Sequence, residues 1–233
     1  MNSSKRGQTN DDFTLNVDLA PTILEAAGLR PPAEVTGRSL LPALESRRSG
    51  RVEPERDHVV TALERHTWCR PDGATYPVRA LRTHEFLYLR NFAPDRWPTG
   101  GPDFVSSNKT FHGDMDAGPI KTYMESEECR RKYPRQYELC YGKRPAEELY
   151  DLTKDPHQVA NVALDPAYRA AKGRLWARLE EYLKRTGDPR IEARDPWQGY
   201  VYHQTTGFGA GFNRSLSKEE RRQARESAAH KPE

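Results

Sequence analysis

The chain has 233 residues, enough for one domain or two small ones with a real core. Its 35% hydrophobic and 30% charged residues make it polar, yet eleven Tyr, seven Phe and four Trp argue against general disorder. A net charge of +3 is too slight to point to nucleic acid, and no run of eighteen apolar residues is present to span a membrane.

Residues 1–16 are polar and aperiodic, and read as a loose, disordered leader; nothing in them has the apolar segment of a signal peptide. Asp18 can cap a helix over residues 19–27, with Gly28 as its stop and Pro31-Pro32 beyond. Leu19, Ile23, Ala26 and Ala27 share one face at helical spacing, so that helix calls for an apolar partner. Residues 37–44 read as a turn and a short helix, followed by a linker over 45–56.

Three strands follow. Val59-Val60-Thr61-Ala62-Leu63 runs into the polar triplet Glu64-Arg65-His66, and Pro71-Asp72-Gly73 makes a turn. Val78-Arg79-Ala80-Leu81-Arg82 then alternates, and His84-Glu85 turns the chain back into Phe86-Leu87-Tyr88-Leu89-Arg90-Asn91-Phe92. Glu64 and His66 thus lie at the end of one strand, and Tyr76 and Arg79 at the start of the next. Polar groups gathered at strand ends are a common way to build a site, and equally a common solvated edge.

Residues 93–119, rich in Gly, Pro, Asp and Ser, form a long loop of the kind that is usually functional or mobile. A short helix is expected over 120–128, while 132–144 carries no clear pattern. Glu148-Leu149-Tyr150-Asp151-Leu152 reads as a fourth strand. Asp165-Pro166 opens the longest helix, whose stripe Leu175, Trp176, Leu179 and Leu183 reads as core; Gly187 and Pro189 end it. The expected fold is therefore α+β, a small antiparallel sheet of about four strands packed by a long C-terminal helix. Residues 195–212 should run irregularly, and 206–233 reads as a polar tail.

Several motifs, in chain order, resemble the C-terminal portion of the sulfatases, within the alkaline-phosphatase superfamily. They are Val17-Asp18-Leu19-Ala20-Pro21-Thr22-Ile23-Leu24, Thr36-Gly37-Arg38-Ser39-Leu40-Leu41-Pro42, Glu64-Arg65-His66, Tyr76-Pro77-Val78-Arg79, Phe86 to Phe92, Glu148-Leu149-Tyr150-Asp151-Leu152, Asp155-Pro156-His157 with Asn161, and Asp195-Pro196-Trp197. The pattern is most similar to bacterial heparan N-sulfatase (sulfamidase)-like enzymes. The resemblance implies a division into residues 17–56, a remnant of the N-terminal catalytic α/β domain with its linker, and residues 57–205, the C-terminal subdomain. It implies a hydrolase of sulfate esters or sulfamates on glycans. It also assigns Glu64, His66, Tyr76 and Arg79 to the substrate side of the pocket, for a sulfated glycan or sugar.

Sulfatases use a formylglycine made within Cys/Ser-x-Pro-Ser-Arg and a calcium ion held by Asp and Asn side chains. Neither is expected here, so no catalytic and no metal residues are assigned, and both cofactors would belong to an N-terminal domain or a separate chain carrying it. Cys69-Arg70-Pro71-Asp72-Gly73 has Asp and Gly where Ser and Arg should stand. Asp11-Asp12 reads as a solvated turn, and Asp114 and Asp116, with His112, make a poor cation site. This stretch alone is thus expected to be inactive; the alternative is a stand-alone sulfated-glycan-binding or interaction module. Full-length relatives are periplasmic, secreted or lysosomal. Arg79 can grip a sulfate or carboxylate through its planar fork, or ion-pair with Glu64 across the sheet. Trp97 can stack on a sugar or pack its own loop. Cys129 and Cys140 can pair, or remain free.

Overall fold

β-branched and aromatic runs separated by turns form β1 (His58–Leu63), β2 (Val78–Thr83) and β3 (Phe86–Asn91). With β4 (Glu147–Asp151) they make one antiparallel sheet in the order β1-β2-β3-β4. The computed structural model describes residues 7–106 and 110–196, together with Glu219. The expected α+β class is what is observed. The chain divides into two units, Met1–Val60 with Leu81–Phe86 and Thr61–Ala80 with Leu87–Glu233.

In the first unit, α1 (Leu19–Ala26) follows a 3-10 turn at Asn16–Asp18, and α2 is Leu41–Glu45. The Asp18 carboxylate makes no side-chain cap to α1. It accepts instead from the Leu15 N–H at 3.1 Å, the Arg38 N–H at 2.9 Å and the Arg56 Nη1 at 2.9 Å. Arg56 is 1% exposed and also donates to the Arg38 and Ser39 carbonyls and to Glu53. Asp18 thus ties three segments rather than one helix end. Gly37 is required beside it, because a Cβ there would lie 2.0 Å from the Val17 carbonyl oxygen. Leu19 and Ile23 of α1 are 52% and 67% exposed, so the apolar face read from the sequence lies open among the described residues.

The loose leader expected over 1–16 is corrected for its described part. Asn10 bridges Gly50, and the buried Asp12 carboxylate accepts from the Val52 N–H at 3.1 Å and the Glu53 N–H at 2.9 Å. Two backbone donors would lose their partner without it, so Asp12 is a fastening and not a solvated turn.

In the second unit the dominant helix is α6 (Arg169–Thr186). Asp165 accepts from the Ala167 N–H at 2.8 Å ahead of a 3-10 turn at Pro166–Tyr168, and Gly187 ends the helix at φ 67, a conformation glycine adopts without a Cβ clash. Leu175, Leu179 and Leu183 are buried along one stripe. Trp176 completes it, its ring 6.3 Å from that of Tyr88 and 5.2 Å from the Arg90 guanidinium. Where one helix was expected over 120–128 there are two, α3 (Pro119–Glu125) and α4 (Glu127–Lys132). Ser126 breaks them in extended geometry and caps the second through the Cys129 N–H. The unassigned stretch beyond holds α5 (Pro134–Tyr141). Cys69, Cys129 and Cys140 are free thiols, so the pairing of Cys129 with Cys140 does not occur here. Trp197 and the expected tail at 206–233 lie outside the described residues, Glu219 apart.

Truncating Leu179, which is fully buried, removes core volume that α6 cannot recover by collapse. Leu179→Ala is expected to cost about 2–5 kcal/mol in urea unfolding, against less than about 0.5 kcal/mol for Glu181→Ala on the exposed face.

Candidate functional site

Alternation along β2 buries Arg79, which is only 4% exposed. Its Nε donates to Asp188 Oδ2 at 2.6 Å and its Nη2 to Glu64 Oε1 at 2.7 Å and Asp188 Oδ1 at 3.1 Å. The remaining Nη1 reaches the Val78 and Leu63 carbonyls. Asp188 stands just past the end of α6, where its Oδ1 also caps the 3-10 turn at Pro189–Glu192 through the Arg190 N–H at 2.9 Å. Arg190 closes the cluster. It donates through Nε and Nη2 to the Glu64 carboxylate, and through Nη2 to Thr75 Oγ1 at 3.1 Å and Asp195 Oδ1 at 3.0 Å. Two arginines and three carboxylates from three separated stretches therefore satisfy one another in a largely dry place.

Electrostatics follow from this packing. Burial pushes the Asp188 carboxyl up, but Arg79 and the Arg190 N–H outweigh it and hold the group below the usual carboxylate range. Burial pulls Arg79 down, and its bonds to Asp188 and Glu64 more than restore its charge.

Tyr76 is joined to Glu64 by its backbone, its N–H donating to the Glu64 carbonyl at 2.7 Å. Its hydroxyl is buried with no hydrogen-bond partner among the described residues, and burial, with the Glu148 charge second, pushes it up to about 12. Over its ring, at 5.5 Å, lies the Arg70 guanidinium. Arg70 in turn donates to the Trp97 carbonyl at 2.7 Å and to the Pro98 carbonyl, so it pins the long loop. From that loop Asp114 comes back to within 3.6 Å of Arg70 Nη2 and 3.0 Å of His66 Nδ1. The His66 side chain itself is 67% exposed.

The structure thus brings Glu64 and Arg79 into direct contact, joins Tyr76 to Glu64 through the backbone, and links His66 to Tyr76 through Asp114 and Arg70. Of the two roles open to Arg79, the ion pair with Glu64 is the one its contacts fill. Arg70 and Asp114 were missed as members of the group. Arg70 stood in a rejected Cys-x-Pro motif and Asp114 in a rejected cation site, and only their separation of 44 residues from each other in sequence hid that they meet. Trp97 carries the Lys143 ammonium 5.2 Å from its ring centre.

Comparison with known proteins bears on this arrangement. The family described as N-sulphoglucosamine sulphohydrolase, C-terminal, matches residues 2–61. An ulvan-active sulfatase of Formosa agariphila is 24% identical over 184 residues, covering 79% of this chain and 31% of the relative. The human N-sulphoglucosamine sulphohydrolase is 28% identical over 205 residues, covering 81% and 36%. A solved structure, described as a complex with its substrate D-glucosamine-2-N,6-O-disulfate, aligns over 83% of this chain and 28% of its own at TM-score 0.51 and 20% identity, a likeness of fold. The chain is similar to sulfatases, and over residues 2–61 to the C-terminal part of one. It spans about a third of the length of the curated relatives it matches.

Among the described residues, Cys69 and the group Asp114, Asp116 and His112 are the candidates for the sulfatase cofactors, and their surroundings do not suit them. Cys69, the sole cysteine in a Cys-x-Pro context, is 1% exposed, and burial pushes its thiol up to about 11, the opposite of a reactive group. Asp114, Asp116 and His112 do not converge. Asp114 is held by His66 and Arg70, whereas His112 turns Nδ1 to the Gly100 carbonyl at 2.9 Å and burial lowers it to about 4. Among the described residues no three His, Cys, Asp or Glu side chains are grouped to hold a metal ion.

Removing one member of a buried, bonded charge cluster strands the others, so Arg79→Ala should cost about 3–5 kcal/mol in urea unfolding. Asp188 adds a pH signature. A carboxyl held low in the folded chain stabilises it above the ordinary value near pH ~4, and that contribution is lost as pH falls through the lowered one. Unfolding free energies followed into acid should therefore drop below about pH 4 for the natural chain, and start lower but fall less steeply for Asp188→Asn.

Proposed function

We propose that this chain is the substrate-side portion of a sulfatase acting on sulfate esters or sulfamates of glycans. Glu64, His66, Tyr76 and Arg79 supply one wall of the pocket, and the formylglycine and calcium come from residues outside these 233, on the same or a separate polypeptide. The observation that carries this reading is the fixed cluster at the ends of β1 and β2. Glu64 and Arg79 are immobilised by Asp188 and Arg190, and two residues beyond Glu64 the His66 ring stands largely exposed.

The roles divide accordingly. Arg79 and Glu64 set the strand ends, since their hydrogen-bonding capacity is taken up by each other and by their neighbours. His66 makes contact with the sugar, accepting from a hydroxyl when neutral and donating to a sulfate oxygen when protonated. Tyr76 holds a protonated phenol in a dry place, a donor without a partner among the described residues.

Calorimetric titration of the 233-residue protein with D-glucosamine-2-N,6-O-disulfate tests the reading. Binding is expected with the sulfated sugar and not with unsulfated glucosamine, and His66→Ala should weaken it about ten-fold, roughly 1.4 kcal/mol. Equal affinity for both sugars, no binding of either, or indifference to the substitution would contradict it. An aryl sulfate with added calcium should show no turnover; hydrolysis above a heat-killed control would overturn the assignment of the chemistry to residues elsewhere.

A further inference from the structure

We propose that Asp114, on the long loop, is a positioning residue for His66, fixing the tautomer and direction of its ring. This deepens the reading of His66 as part of the substrate wall and rests on it for its consequence, though not for its geometry.

The pair is asymmetric. Asp114 is the anchored partner, with a side chain 11% exposed, its N–H donating to the Thr99 carbonyl at 3.1 Å, and its Oδ2 3.6 Å from Arg70. Arg70 is itself buried and held by two carbonyls of the same loop. His66 is the exposed partner, its Nδ1 3.0 Å from Asp114 Oδ1. A carboxylate oxygen only accepts, so in the neutral ring the proton is drawn to Nδ1, leaving Nε2 as the acceptor. The same bond turns a side chain with two free torsions into one with a set direction, which lowers the ordering cost when a ligand arrives. Through Arg70 and Asp114 the long loop decides how the His66 ring is presented, and the sequence separation of 48 between the two partners makes this a tertiary device rather than a local turn.

Long-range proton–nitrogen correlation of the His66 ring reads the tautomer directly, without any ligand. The natural chain should show Nδ1–H in the neutral ring. Asp114→Asn, whose amide oxygen can still accept, should keep it, and Asp114→Ala should move the ring toward the Nε2–H form. In titrations with D-glucosamine-2-N,6-O-disulfate, Asp114→Ala should weaken binding by about the ten-fold expected for His66→Ala, the double variant should lose no more than either single one, and Asp114→Asn should recover part of the loss. An Nε2–H ring in the natural chain, a tautomer indifferent to Asp114→Ala, or additive losses in the double variant would overturn the proposal. If the natural chain binds no sulfated sugar, the substrate-wall reading fails, and the tautomer result still decides whether Asp114 sets the ring.

Discussion

Arg79 held between Asp188 and Glu64 is the interaction on which the second unit of this chain depends. Its fork spans two carboxylates that arrive from opposite directions in sequence, one at the end of β1 and one just beyond α6. Burying an arginine is costly, and only saturation of its donors makes it tolerable. That condition explains the neighbouring choices. Asp188 sits where it can both cap a 3-10 turn and receive the guanidinium, and Arg190 balances the second charge on Glu64. A cluster satisfied in this way has one arrangement, and so the strand ends that carry Glu64, Tyr76 and His66 have one arrangement too.

The first unit solves the same problem with the same chemistry. Arg56, fully buried, meets Asp18, Glu53 and two carbonyls, and Asp12 receives two backbone N–H groups from the linker. Polar residues with full sets of partners thus replace apolar volume in a chain whose hydrophobic share is modest. The exposed apolar face of α1 lies in this same unit. Helical spacing in the sequence already showed that face, because it is a local property of the chain.

How much could be read in advance follows from that distinction. Strands, the capped helix at 165–187 and its leucine stripe were legible, since periodicity, Asp-Pro and Gly act within a few residues. The division at Ser126 was not, because a serine can sit inside a helix or cap one, and only the extended backbone decides. Nor was the role of Asp12 or Asp18, whose partners lie twenty to forty residues away. At the candidate site, Glu64 and Arg79 were visible as a cross-strand pair, whereas Asp188 and Arg190, more than a hundred residues distant, carried no local sign. Asp114 and Arg70 carry no local sign of their meeting either, since 44 residues separate them, and in the fold Asp114 lies beside His66 and Arg70 over Tyr76.

A substrate wall without the reactive group it faces is the central claim, and mapping where a sulfated sugar touches the chain tests it most directly. Nuclear magnetic resonance of the 233-residue protein titrated with D-glucosamine-2-N,6-O-disulfate should move the signals of His66, Tyr76 and Asp114 together, saturating at one concentration, while those of α6 away from Asp188 stay still. Shifts centred elsewhere in the chain, or none at saturating sugar, would contradict the account.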